Sequence, residues 1–256
     1  MKIILLGSGT SQGVPIIGCN CKTCTSKNPK DKRLRASVFV ETEDAKILID
    51  TSIDFRQQML RAGITDIDAV LFTHHHVDHI FGMDDLRQIN QRLNKYIDIY
   101  GNNTTIEEIK ITFRYIFDEE LIRYKSVPLV NLNTIDNTRF YIKETKIIPI
   151  EVFHGRIKIL GFRISNFAYL TDCSLIPESE YEKFENLDVL IVNALRRKPH
   201  PTHFNLQQAI EVAKLFKPKA TYFTHLTHDI NYEEINPSLP ENINLGYDGL
   251  IIELKQ

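Results

Sequence analysis

The stretch Ala69-Val-Leu-Phe-Thr-His-His-His-Val-Asp-His79 governs how the rest of the chain is read. Ala69 to Phe72 is a short apolar run of the kind that forms a buried strand. It breaks into His74, His76, Asp78 and His79, four metal-ligand residue types within six positions. A strand delivers the turn after it to one fixed place. His74 and His76 can therefore reach one point while Asp78 and His79 reach a neighbouring one. Two imidazoles on one ion, with a carboxylate and an imidazole on the next, are the beginning of a two-metal site. A polar turn that merely happens to be rich in histidine is the alternative. The two readings part on whether the missing ligands turn up elsewhere.

Ligand types do recur at the ends of apolar runs. Lys146–Phe153, rich in β-branched residues, runs into His154-Gly155; Ala168–Thr171 ends in Asp172; Ala220–Thr224 ends in His225. Leu187–Val192 reads as a further strand. In α/β sheets ligands collect at the carboxyl ends of strands, where loops converge beyond the packed core. One ion would take His74, His76 and His154, and the other Asp78, His79 and His225. Asp172, with two carboxylate oxygens, can bridge both. Water between two cations becomes acidic enough to give hydroxide at neutral pH. Three imidazoles suit zinc, and the carboxylate-rich neighbour also admits manganese or iron.

Working outward, the chain has 256 residues, 43% of them hydrophobic, and no Gly/Ser-rich linker. Residues 1–256 therefore read as one domain with two β-rich halves. Charge is balanced, 31 Lys+Arg against 33 Asp+Glu for a net of -2, whereas a binder of polymeric nucleic acid carries a basic surplus. No apolar run is long enough to span a membrane. The start, Met1 to Gly7, reads as a first strand rather than a signal peptide, so a cytoplasmic protein is expected. Gly7-Ser-Gly-Thr-Ser-Gln-Gly13 is only loosely a dinucleotide loop: its third glycine is one place late and Val14-Pro15 follows instead of a helix. Cys19-Asn-Cys21-Lys-Thr-Cys24 can converge on one ion and leaves a fourth position for a distant residue. Cys173, beside Asp172, has no visible partner and reads as buried filler.

The intervening elements are conventional. Ser37–Thr42 and Lys46–Asp50 pair as strands, and Phe55–Ala62 is a helix closed by Gly63. Asp85–Leu93 is helical. Thr104-Thr-Ile-Glu107 reads as a capping box for a helix whose stripe is Ile106, Ile109, Phe113, Ile116 and Phe117. That stripe packs on the body or on a second subunit, which leaves a homodimer open. Residues 118–138 look irregular.

The signature Thr-His-x-His-x-Asp-His, with later His, Asp and His at strand ends, resembles the metallo-β-lactamase fold superfamily. The resemblance covers essentially the whole chain and implies an αββα four-layer sandwich (α/β, or α+β) with a binuclear site at one edge of its sheets. Within the superfamily the chain is similar to the phosphodiesterase family encoded with the carbon–phosphorus lyase system. The shared features are Gly-x-Gly near the start, Gln12-Gly-Val-Pro15, Gly18-Cys-x-Cys-x-x-Cys24 and His225-Leu-Thr-His228. The resemblance implies a structural zinc on Cys19, Cys21, Cys24 and His228. A closed set of three thiolates and an imidazole is a structural site, since no position is left for substrate. It also implies that Asp50 orients a metal-binding histidine, and that His203, in His200-Pro-Thr-His-Phe-Asn-Leu206, is an additional active-site histidine.

The function expected is a binuclear metal-dependent hydrolase of a small or cyclic phosphodiester, a small-molecule substrate. Hydroxide bridging two zinc or manganese ions attacks phosphorus, Asp78 helps hold the pair, and His203 protonates the departing alkoxide. Arg196, Arg197 and Lys198 could draw in phosphate, although a solvated basic turn is the commoner meaning of such a run. His75, between two ligands, should point away. Three rivals remain in view. The same site could cleave a lactone or thioester, or process tRNA 3′ ends, against which the neutral charge counts. The chain could also be a non-catalytic zinc-stabilised accessory protein.

Overall fold

The computed structural model describes residues 1–254. The first six strands are β1 (Lys2–Gly7), β2 (Ser37–Glu41), β3 (Lys46–Ile49), β4 (Ala69–Leu71), β5 (Ile97–Gly101) and β6 (Val130–Thr134). Then follow β7 (Phe140–Ile142), β8 (Thr145–His154), β9 (Ile157–Ile164) and β10 (Phe167–Leu170). The last four are β11 (Val189–Asn193), β12 (Ala220–Thr224), β13 (Ile243–Leu245) and β14 (Leu250–Glu253). They form two seven-stranded sheets, ordered β14-β1-β2-β3-β4-β5-β6 and β13-β12-β11-β10-β9-β8-β7. From β14 the first sheet runs through three antiparallel pairings and then three parallel ones. From β7 the second sheet repeats that sequence of pairings. The two β-rich halves read from the sequence are thus built alike.

Alternation along each strand explains the layering, because successive side chains leave opposite faces of a sheet. Ile3 and Leu5 of β1, Val38 and Val40 of β2, Phe167 and Tyr169 of β10, and Val189 and Ile191 of β11 meet in one core between the sheets. Their neighbours point the other way. Ile4, Leu6 and Phe39 pack with Phe55, Met59, Leu86 and Ile106 of the helices over the first sheet. Ala168, Leu170, Leu190 and Val192 pack with Ala209, Val212 and Ala213 of helix Leu206–Phe216 over the second. Three apolar seams between four layers make the αββα sandwich that the resemblance implies. Among the described residues no helix is long and apolar enough to cross a membrane.

Several boundaries differ from the sequence reading. The helix expected to start in a Thr104–Glu107 box is Asn103–Thr112, and its cap is Asn102, whose side chain accepts from Thr105 N at 2.9 Å. Asn is a stronger cap than Thr and reaches the N–H three residues on, which leaves Thr104 inside the first turn. The stripe ends at buried Ile116, while Phe117 lies partly exposed. Residues 118–138 are not irregular throughout. Asp118 caps a short helix, Glu119–Arg123, and β6 pairs in parallel with β5. Helix Leu86–Leu93 begins after a 3₁₀ turn, Phe81–Asp85, instead of at Asp85 itself.

Candidate active site

The carboxyl ends of β3, β4, β8, β10 and β12 converge on one edge of the two sheets. Asp50, Asp172 and His225 each lie just past a strand, at φ of 62°, 56° and 56°. This left-handed conformation is uncommon outside glycine but is tolerated best by Asp, Asn and His. It turns the chain out of the strand at once and leaves short polar side chains at the sheet edge. All three are buried, as are His74, Asp78, His79 and His154.

The side chains gather as the sequence predicts. Donor atoms of His74, His76 and His154 lie within 4.8 Å of one another, and so do those of Asp78, His79 and His225. Asp172 stands between the sets. Its Oδ2 is 3.2 Å from His79 Nε2, and its Oδ1 is 3.1 Å from His225 Nε2. His74 Nε2 and His76 Nδ1 face each other at 3.0 Å. His203 Nε2 donates to Asp172 Oδ1 at 2.9 Å, which puts that residue inside the cluster. His75 is half-buried with its ring 5.6 Å from that of His76, outside both sets.

Asp50 organises these rings. Its carboxylate can only accept, so the 2.7 Å contact with His79 Nδ1 is an N–H donating to Asp50 Oδ2. The same oxygen accepts the Thr73 hydroxyl at 2.9 Å, and Oδ1 accepts Thr73 N–H at 2.8 Å. Thr73 Oγ1 has then given its only proton to Asp50, so in its 3.0 Å contact with His74 Nδ1 the imidazole donates. Both rings are thereby turned with Nε2 toward the cluster. On the far side the carbonyl of Thr202 accepts from His154 Nδ1 at 2.7 Å, with the same consequence. Metal-binding histidines are characteristically held by such outer hydrogen bonds. Asn193 pins the Cys173 backbone next to Asp172, accepting its N–H at 2.7 Å and donating to its carbonyl at 3.0 Å.

The arrangement is ill-satisfied without cations. His79 Nε2 and both ring nitrogens of His225 are buried without a well-aligned hydrogen bond, although Asp172 oxygens lie 3.2 and 3.1 Å from His79 Nε2 and His225 Nε2. Buried polar atoms are rarely left so, and a divalent ion in the Asp78, His79 and His225 set would satisfy His79 Nε2 and one nitrogen of His225. The donor chemistry fits: imidazoles with carboxylates suit zinc or manganese. In the metal-free chain, burial lowers the His74 imidazole well below its ordinary value, and neighbouring imidazoles add to this. Burial would lower His79 too, but the Asp78, Asp172 and Asp50 carboxylates outweigh it and hold that ring well above the ordinary value. Burial would raise Asp172, yet the His225 and His79 rings and the His203 hydrogen bond bring it well below. Burial carries His203 down to about 4 against the pull of Asp172.

A second cluster lies on the loop after His225. Cys19, Cys21 and Cys24 Sγ stand 3.2, 3.5 and 3.6 Å from His228 Nδ1. All four donors can meet at one ion. Burial pushes the Cys24 thiol up to about 11. Burial also opposes ionisation of Cys21, but backbone N–H groups of Cys24 and Thr23 with neighbouring thiols bring it to about 7. Cys173 is fully buried in the core under helix Leu206–Phe216, and its thiol donates to the Leu175 carbonyl at 3.4 Å. Arg196 donates to the carbonyls of Lys198 and Pro199 at 3.3 and 2.9 Å, so it closes its own turn. The sequence reading assigned nothing to Thr73, Asn193, Thr202 or His200. Thr73 alone carried a signal, as the first residue of the quoted signature.

Comparison with known proteins bears on this geometry. The Beta-lactamase superfamily domain matches residues 45–226. The crystal structure of a new diphosphatase from the PhnP family is 42% identical, with a TM-score of 0.92 over 99% of this chain and 98% of that one. The octanoyltransferase of Porphyromonas gingivalis is 40% identical over 254 residues, 98% of this chain and 51% of that protein. The ribonuclease Z of Methanopyrus kandleri is 32% identical over 143 residues, 53% of this chain and 46% of that protein. The chain spans about half the length of the curated relatives it matches.

Proposed function

The chain belongs to the β-lactamase superfamily, and on that premise we propose that it is a binuclear metal-dependent phosphodiesterase acting on a small or cyclic diester. The observation that carries the reading is His203 Nε2, 2.9 Å from the Asp172 oxygen that joins the two ligand sets. It puts a proton where a leaving oxygen would depart from a substrate seated between two ions. The diphosphatase of the PhnP family, similar along nearly the whole of both chains, supports phosphoryl rather than acyl chemistry.

His74, His76 and His154 would hold one divalent ion, Asp78, His79 and His225 the other, with Asp172 shared. Two such cations would acidify water to furnish the nucleophile and would offset the negative charge gathering on the phosphoryl oxygens. The protein's own part is orientation and proton handling. Asp50 and Thr73 keep Nε2 of His79 and His74 turned inward. Asn193 holds the backbone beside Asp172. His203, when its ring carries a proton on both nitrogens, would give the Nε2 proton to the departing alkoxide and return to the neutral imidazole, a contribution of roughly 10²–10⁴-fold for a well-placed acid. Cys19, Cys21, Cys24 and His228 would hold a zinc that ties the amino-terminal loop to the loop carrying His225.

The P. gingivalis octanoyltransferase favours a second reading, hydrolysis of an acyl substrate such as a thioester, by the same cations. The test is turnover of bis(p-nitrophenyl) phosphate, a cyclic diester, an octanoyl thioester and a lactone on one metal-replete preparation. The phosphodiesterase reading requires turnover of the diesters alone. Turnover of the thioester or lactone without the diesters would overturn it in favour of the second.

A further inference from the structure

We propose that Val77 and Phe81 form an apolar shelf that selects an aromatic retained arm of the diester, the group that stays on phosphorus; this rests on the phosphodiesterase reading. Val77 lies between the candidate ligands His76 and Asp78 and opens the helical turn Val77–Ile80 that carries Asp78 and His79. Phe81 closes that turn, its N–H bonded to the Val77 carbonyl. Residues three and four apart are neighbours on a helix surface. Phe81 is therefore beside Val77 and beside Asp78, and the apolar strip begins at a ligand. Both side chains face solvent: Val77 is 48% and Phe81 45% exposed. The Phe81 ring is braced by that of buried Phe113, edge to face at 5.8 Å. Phe113 lies 6.5 Å from Tyr115, whose hydroxyl donates to Asp84 at 2.5 Å. Ile53, 46% exposed, follows on the loop after Asp50. Thr51 ties that loop to the same turn, its hydroxyl donating to the Ile80 carbonyl at 3.1 Å and its carbonyl accepting from Gly82 N–H at 3.0 Å.

The two sides of the centre differ in character. His74, His76, Asp78 and His79 follow β4 of the first sheet, whereas His154, Asp172 and His225 stand at strand ends of the second. His203 lies on the second-sheet side too, between β11 and helix Leu206–Phe216. There Arg156 stands two residues beyond His154, and Arg197 and Lys198 precede His203; all three are exposed. On the first-sheet side, residues 51–55 and 75–85 contain no lysine or arginine. A leaving oxygen that departs toward His203 moves to the basic side. The retained arm is then left toward Val77 and Phe81. An aromatic arm laid on that shelf takes apolar surface out of water and gains a ring contact with Phe81. A charged arm would lose hydration there and find no counter-charge.

Methyl p-nitrophenyl phosphate and phenyl p-nitrophenyl phosphate share a leaving group and differ only in the retained arm. On the metal-replete protein, Phe81→Ala is expected to lower kcat/KM about tenfold more on the phenyl ester than on the methyl ester, the scale of one ring contact. Val77→Thr, which keeps the branched shape and makes it polar, should move the same ratio in the same direction. Calorimetry gives a readout without turnover. Phenylphosphonate should bind about tenfold more weakly to Phe81→Ala than to wild type, with methylphosphonate losing less. Phe81→Leu, which keeps apolar bulk on Phe113 and removes the ring, repeats the test if the alanine variant misfolds. If the wild type cleaves neither ester, the phosphodiesterase reading falls and takes the inference with it. If it cleaves both, while Phe81→Ala affects both alike or neither, the shelf alone is overturned. A wild-type dimer that Phe81→Ala splits, with the phenyl-to-methyl ratio kept, would assign the strip to a second copy of the chain and overturn it as well.

Discussion

Asp50→Asn tests the orienting network with a minimal change. Asparagine is at home at a φ of 62°, so the backbone gives no reason to move. The hydrogen bonds do. Oδ2 accepts from His79 Nδ1 and Thr73 Oγ1, while Oδ1 accepts from Thr73 N–H. An amide supplies one oxygen and one NH₂, so either way round a donor meets a donor. If the NH₂ takes the Oδ1 position, the buried Thr73 N–H loses its acceptor, at about 1–3 kcal/mol. If it takes the Oδ2 position, His79 escapes by moving its proton from Nδ1 to Nε2, the atom an ion would need. The second arrangement should weaken the ion on Asp78, His79 and His225 by about 10–100-fold, or roughly 1.4–2.7 kcal/mol. The ion on His74 should suffer less, because it feels Asp50 only through Thr73. Competition against a chromophoric chelator reads both affinities, and urea unfolding reads the first arrangement. An Asp50→Asn variant that binds both ions as tightly as wild type and unfolds at the same urea concentration would refute the network.

Other perturbations probe separate parts. His79 is held well above its ordinary value in the metal-free chain, since three carboxylates outweigh its burial, and so carries a proton at neutral pH. Its stabilising contribution to the metal-free fold is complete below about pH 6.5 and is lost as pH rises through the folded value. An ion must displace that proton, so metal uptake in weak buffer should release it and affinity should climb with pH; uptake with no proton release would contradict this. Cys24→Ala should remove one zinc per chain and lower Tm by roughly 4–8 °C, for a loss of about 2 kcal/mol; an unchanged zinc content would exclude the cysteine cluster. Arg33 is fully buried, 3.1 Å from Asp31, and donates to the Thr227 and Ile230 carbonyls at 2.8 and 2.6 Å. Arg33→Met leaves Asp31 buried without its counter-charge, held only by the Asn231 amide and the Tyr232 N–H, and should cost about 3–5 kcal/mol in urea unfolding while loosening the loop that carries His228.

The clustered histidines and aspartates were legible because such residues at strand ends announce themselves one position at a time. His154, Asp172 and His225 needed only the end of an apolar run beside them. Helix Phe55–Ala62 kept its expected bounds because Gly63, at a φ of 65°, supplies the stop the sequence advertises. The supporting groups were hidden for the opposite reason. Threonine and asparagine in turns have many local uses, and nothing along the chain says that Thr202 will meet His154, 48 residues away, or Asn193 meet Cys173, 20 away. Strand β6 escaped notice because it is a short edge strand paired on one side only, whose Val130 and Leu132 alternate with asparagines of the kind that also mark turns. The capping box was misread because a valid motif at Thr104 sat two residues inside a stronger cap.

Elemental analysis of the metal-replete protein, before and after mild chelation, tests the central claim most directly. About three ions per chain are expected, two of them removable with loss of diesterase turnover and one zinc retained by the cysteines. A single zinc under replete conditions, with His79 and His225 still buried and intact, would contradict the two-ion site and leave a zinc-clamped scaffold.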